Sequence, residues 1–241
     1  MSHKLVRIAL FSACTVAISI STAAAATCIS GDTLAQYEAL GATGCQIGDK
    51  IFSNFTYTDS ATGGAIAVTA AGITVNSVGP GQSVTGSNYG LAFDGSWTAL
   101  NGQTNDGDIG FTVTVVNGAG MEITDAGLAQ TSGITASGVA SVAEQGCSGT
   151  GCTPGTWAVL TLQYGTVDAA ASDQWLSATG SVTVSKDINV VAPTGSFAAI
   201  SLVTDTFSQT AVPEPRALSL LLALGLVAGF AFRKKFQSAG V

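Results

Sequence analysis

The sequence predicts an all-β protein, an antiparallel β-sandwich of jelly-roll or immunoglobulin-like type with one short N-terminal helix. Three observations predict it. From about residue 51 to residue 207, β-branched and aromatic residues recur in short runs that alternate with Thr and Ser. Gly, Asn and Asp separate the runs and supply turn conformations. The chain is 46% hydrophobic, too apolar to stay unfolded, and its 30 glycines fall without a fixed period, so no repeat array is indicated. An apolar segment lies outside this body at each end, predicting a signal helix and a C-terminal transmembrane helix.

At the N-terminus, Lys4 and Arg7 precede an apolar run from Ile8 to Ile20, and Ala23-Ala24-Ala25-Ala26 offers a small-residue cleavage site. This is the order of a secretory signal peptide, residues 1–26, and it is set aside from fold reasoning. Cys14 sits in the middle of the run, not at its end where a lipoprotein would need it, and reads as a small apolar residue.

The exported body spans residues 27–211. One helix opens it: Asp32 or Thr33 caps it, Leu34, Tyr37 and Leu40 share a face, and Gly41 stops it. Strands are predicted over 51–58, 65–70, 72–78, 89–97 and 110–116, with Thr112 and Thr114 toward water. A short strand is expected at 122–124. Trp157–Tyr164 is the most apolar run and the expected central strand. Ser181–Val190 and Phe197–Phe207 close the body.

Charge and residue types bound the chemistry. The body holds fourteen acidic side chains against Lys50 and Lys186, a formal charge of −12 compared with −7 for the whole chain. Such a surface repels phosphate backbones, which argues against nucleic-acid binding. The single histidine, His3, lies in the signal segment, so the body has none to serve a Ser-His-Asp or Cys-His centre or a His-ligated metal. No Gly-x-Ser-x-Gly, Ser-x-x-Lys, P-loop or dinucleotide motif occurs. Four cysteines remain after export. Three pairings are open, and Cys28–Cys45 with Cys147–Cys152 is favoured because each is local. A Cys₄ zinc site does not fit these spacings.

Four groups of residues are candidates for a site. Asn105-Asp106-Gly107-Asp108, with Asp94, reads either as a hairpin turn or as a surface calcium site centred on Asp106 and Asp108. No cofactor is expected, and calcium is the one candidate this cluster offers. Trp97, Trp157 and Trp175, with Tyr89 and Tyr164, would stack on sugar rings if exposed; Trp97 and Trp175 are the contact candidates, and Trp157 fits the core better. No pair of carboxylates stands out for glycoside hydrolysis. Asn54-Phe55-Thr56 matches a glycosylation sequon by chance, and Lys186-Asp187 reads as a solvated strand edge.

The C-terminus carries the most specific motif. In Val212-Pro213-Glu214-Pro215-Arg216 each proline lacks a donor and extends the residue before it, which suits an enzyme that reads a strip of chain. An uncharged run from Ala217 to Phe232 follows, slightly short of the ~20 residues of a membrane-spanning helix. Snorkelling of Arg216 and Arg233 would make up the difference. Arg233-Lys234-Lys235 forms a basic stop that remains cytoplasmic. This order resembles the PEP-CTERM sorting signal of exopolysaccharide-producing Gram-negative bacteria. The resemblance covers residues 211–237 and implies recognition by an exosortase, a membrane transpeptidase that cuts near the motif. A plain membrane anchor would not need Pro-Glu-Pro at this boundary. Gly44-Cys45-Gln46-Ile47-Gly48-Asp49 and the late Lys186-Asp187-Ile188 also look like segments of other exported proteins of this class, and imply no activity.

The expected protein is therefore a non-enzymatic surface or exopolysaccharide-matrix protein. Its expected partners are the general secretion machinery, the inner membrane as a precursor, and an exosortase. A carbohydrate-binding module and a calcium-stabilised adhesin subunit are the alternatives.

Overall fold

Two antiparallel sheets face each other across an aromatic core. The structure is a computed structural model and describes residues 25–79, 89–116, 121–164 and 172–211; residues 1–24 of the expected signal segment and the whole C-terminal sorting segment lie outside them. Strands β1 (Ala26–Thr27) and β2 (Asp32–Thr33) lead into helix α1 (Leu34–Glu38). Thr33 is its N-cap, and the Gln36 side chain returns to the Thr33 backbone in a full capping box. Leu34 and Tyr37 are buried, whereas Leu40 is exposed and does not share their face. Strand β3 (Cys45–Ile47) pairs in parallel with β1, Ala26 opposite Cys45, and the Cys28–Cys45 disulfide ties the two.

Strand β4 (Lys50–Thr62) pairs with β7 (Gln103–Val115) through a bulge between Ser53 and Thr56. There Asn54 takes a left-handed conformation (φ 55°), donates its N–H to Gly41 O, and turns Phe55 into the core. Residues 65–69, expected as a strand, form a loop that ends in a 3-10 turn at Ala70–Gly72. Side chains hold its backbone in place of a ladder: Tyr57 donates to Val68 O and Asn105 to Ile66 O. Strands β5 (Thr74–Val78) and β6 (Tyr89–Leu100) follow β4, and β8 (Met121–Thr135) and β9 (Val139–Ser148) follow β7. Strand β8 is far longer than its expected three residues. Strand β9 and β11 (Ser172–Thr179) were not expected at all, because their Ala-, Gly- and Ser-rich stretches have weak strand propensity and are ordered by their partners. Strands β10 (Trp157–Tyr164), β12 (Ser181–Ala192) and β13 (Phe197–Ala211) complete the chain.

One sheet runs β1-β3-β4-β7-β12-β9-β10 and the other β11-β8-β13-β6-β5-β2. Strands β6 to β13 thus interleave as 6-13-8-11 against 7-12-9-10, the jelly-roll order rather than the immunoglobulin one. The apolar β10, expected at the centre, lies at an edge and pairs with β9. Phe111 of β7 sits at the middle of the core, with ring centroids 5.7 Å from Phe55, 6.0 Å from Phe93, 6.1 Å from Phe207 and 6.3 Å from Phe52. The second local disulfide, Cys147–Cys152, closes the loop after β9. Among the described residues no helix is long and apolar enough to cross a membrane.

Candidate functional site

The outer face of the seven-stranded sheet carries a groove of about 500 Å³. Strand alternation builds it: residues out of phase with the core point outward, so β4 contributes Thr56 and Thr58, β7 Asp108 and Thr112, and β12 Thr183 and Ser185. Gly151 and Pro154, beside the Cys147–Cys152 loop, wall one side. Thr112, expected to face water, is buried although it points out of the core. Threonine and serine hydroxyls supply most of its polar side chains, with Gly110 and the Phe111 backbone as its floor; it offers hydrogen bonds but no aromatic platform.

Beside the groove runs a row of carboxylates. Asp108 lies directly opposite Asp187, and Asp106 opposite Asn189, whose amide donates to Asp106 Oδ2 at 2.7 Å. Partial burial, then the neighbouring Asp106, raises the Asp108 carboxyl above the ordinary range, while Thr58 pulls it down. Burial followed by Asp106 and Asp108 raises Asp187 likewise. This row lies mid-strand, so Asn105-Asp106-Gly107-Asp108 is not the hairpin turn expected. Gly107 points inward instead, and a Cβ there would stand 2.7 Å from Trp97 Nε1 and 2.8 Å from the Tyr57 hydroxyl. Asn105 is fully buried and donates to Ile66 O and Thr98 O, so it is not an ion ligand on this face. Among the described residues no group of three or more His, Cys, Asp or Glu side chains is arranged to hold a metal ion.

The expected aromatic platform is not found among the described residues. Trp97 is in phase with Leu91, Phe93 and Ala99, is fully buried, and donates its indole N–H to the Tyr57 hydroxyl at 3.4 Å. It is a core residue, not a sugar contact. Trp175 pairs through its backbone with Asp125; its side chain, like those of Trp157 and Tyr164, lies outside the described ones. The sorting residues Val212 to Arg216 and Arg233 to Lys235 also lie outside the described residues.

The largest departure from expectation concerns the two lysines. Lys186, expected at a solvated edge, is fully buried between the sheets. Its Nζ is 2.6 Å from Glu144 Oε2 of the neighbouring β9 and pairs with Asp205 Oδ2 of β13 in the facing sheet. Both carboxyls are fully buried. Burial works against the Lys186 charge, but Asp205 and Glu144 together outweigh it and raise its pKa. Burial first, then Glu144, raises Asp205 well above the carboxylate range despite Lys186. Asp205 therefore ionises less readily than an ordinary carboxyl, and the one buried amine is shared between two buried carboxyls.

Lys50 is also fully buried, 5.1 Å from the Tyr89 ring and 3.2 Å from Asp49 Oδ1. Burial lowers its pKa, countered by Asp49 and Asp125. With both lysines inside, the exterior of residues 27–211 carries acidic charges and no basic side chain.

No family model matches this sequence, and no curated protein matches it. Solved structures do. TmCBM61, in complex with β-1,4-galactotriose, is 13% identical over 64% of this chain and 88% of its own, with a TM-score of 0.32. The enzymatically active domain of Bacteriophage CBA120 tailspike protein 4 is 11% identical over 66% of this chain and 20% of its own, also with a TM-score of 0.32. Likenesses this distant carry neither a ligand nor an activity across.

Proposed function

We propose that this protein is a non-catalytic surface or matrix protein of a Gram-negative bacterium. It is exported through residues 1–26 and sorted to the cell surface or exopolysaccharide layer by an exosortase that reads residues 212–241. The observation that supports it best is the fate of the side chains capable of chemistry. Lys50, Lys186, Glu144 and Asp205 are all spent inside the sandwich. Tyr37 and Tyr57 are pushed up to about 12, chiefly by burial, and give their hydroxyls to backbone carbonyls. Every charged side chain exposed among the described residues of the body is a carboxylate, which suits a hydrated, mutually repelling component of a matrix. Changing Pro213, Glu214 and Pro215 to alanine is expected to leave unprocessed precursor in the inner membrane on fractionation; normal release of that variant would contradict the sorting role.

The groove favours a second reading, a module that binds an extended, neutral glycan through hydrogen bonds. On a glycan array, Thr183→Val combined with Ser185→Ala should then lower the signal at least tenfold while the fold is retained, as about 1.4 kcal/mol of lost hydrogen bonding would do. An array without any signal from the unaltered protein leaves the matrix role alone.

A further inference from the structure

Lys186, Glu144 and Asp205 bring an amine and two carboxyl groups together in a dry site. We propose that Lys186 and Asp205 condense into an intramolecular amide bond, with Glu144 carrying the proton, so that a covalent link joins the two sheets. Three observations lead there. The amine nitrogen already touches the Asp205 carboxyl and the Glu144 carboxylate. All three side chains are fully buried, and the rings of Phe93 and Phe111 lie 5.9 and 5.7 Å from Nζ. No donor outside the trio reaches Glu144 Oε1 or Asp205 Oδ1 among the described residues.

A buried ion trio is a costly resting state, because each ion forfeits its hydration and the pairing repays it incompletely. The same burial favours condensation. A neutral Asp205 acid is an acyl donor where a carboxylate is not, and holding amine and acid in contact replaces a bimolecular encounter. Glu144 takes one proton from the Lys186 ammonium, and the freed amine attacks Cγ of Asp205. The new C–N bond forms as the C–O bond to the hydroxyl breaks. The hydroxyl leaves as water with a second proton from the nitrogen, passed through Glu144. Ammonium, acid and carboxylate thus become an amide, one water and a protonated Glu144, with atoms and charge balanced and no oxidant or cofactor needed. The protonated Glu144 can then donate to the new amide carbonyl, so no charge remains buried.

The position of the link has a mechanical consequence. Lys186 lies on β12 and Asp205 on β13, each flanked by strands on both sides. Any pull on the chain beyond Ala211 would be transmitted along β13 no further than Asp205. This inference stands on the core geometry and does not rest on the export reading.

The test is the mass of the full chain, purified folded, then reduced and denatured. The protein is expected to be lighter by one water than the sequence between its measured termini. Chymotrypsin, which cuts after Phe197 and Leu202, should release a branched peptide joining the Lys186 and Asp205 segments. Asp205→Ala should keep the full mass, and Glu144→Gln should slow the loss of water at least tenfold. Full mass without a branched peptide in the folded, unaltered protein overturns the proposal, whether or not the variants fold. Condensation of Glu144→Gln at the unaltered rate would overturn the role given to Glu144.

Discussion

Replacing Lys186 by alanine is expected to destabilise the sandwich by about 3–5 kcal/mol, measured as a fall in the denaturant midpoint. The loss arises from what remains. Glu144 and Asp205 would face each other, fully buried, with no amine left to pair with or to join. Burial, then Glu144, raises the Asp205 carboxyl, and without Lys186 nothing would pull it back down, so the sign follows from Asp205. A carboxyl raised in the folded state contributes stability that is present at low pH and lost as pH rises through the folded value. The Lys186→Ala protein should therefore recover stability on acidification, whereas a variant with a mere packing defect would not. Exchanging Lys186 for Met and both carboxyls for apolar residues of similar size should restore much of the loss, because the cost lies in unpaired charge rather than in volume.

The second large effect is expected at Phe111. Its ring contacts Phe52, Phe55, Phe93 and Phe207, which come from both sheets. Phe111→Ala would leave a cavity that the flanking strands cannot close, and should cost about 3–5 kcal/mol in thermal or denaturant unfolding. Phe111→Leu should cost visibly less. Equal losses in the two variants would mean that the core at Phe111 is looser than these ring contacts imply.

How far the sequence was legible depended on phase. Both disulfides, the helix capped at Thr33, and the strands around Phe93, Phe111 and Val184 followed from local spacing. The same alternation carried information about the candidate site that residue type concealed. Lys186 is in phase with Val184 and Ile188, and Asp205 with Val203 and Phe207, so parity placed both inside although their charge suggested water. Trp97 is likewise in phase with Phe93 and Ala99, which marks it as core and not as a sugar platform. Glu144 follows the same rule with Ala140 and Val142, but β9 has too few β-branched residues to announce a strand. Its order comes from β12 and β10 on either side, a tertiary effect with no local trace. The Asn-Asp-Gly-Asp stretch misled for a different reason. Gly107 is there to make room for Trp97 across the core, a demand set by a residue close in space and not by turn chemistry.

The measurement that bears most directly on the proposed role is the pair of termini on the protein recovered from the surface fraction of a cell that makes it. The account predicts a chain that starts after Ala26 and ends near Val212–Arg216, without the apolar run and the Arg233-Lys234-Lys235 cluster, and therefore far more acidic than the gene product. A surface protein that still carries Ala217 to Lys235, or a chain retained inside the cell with residues 1–26 attached, would contradict it.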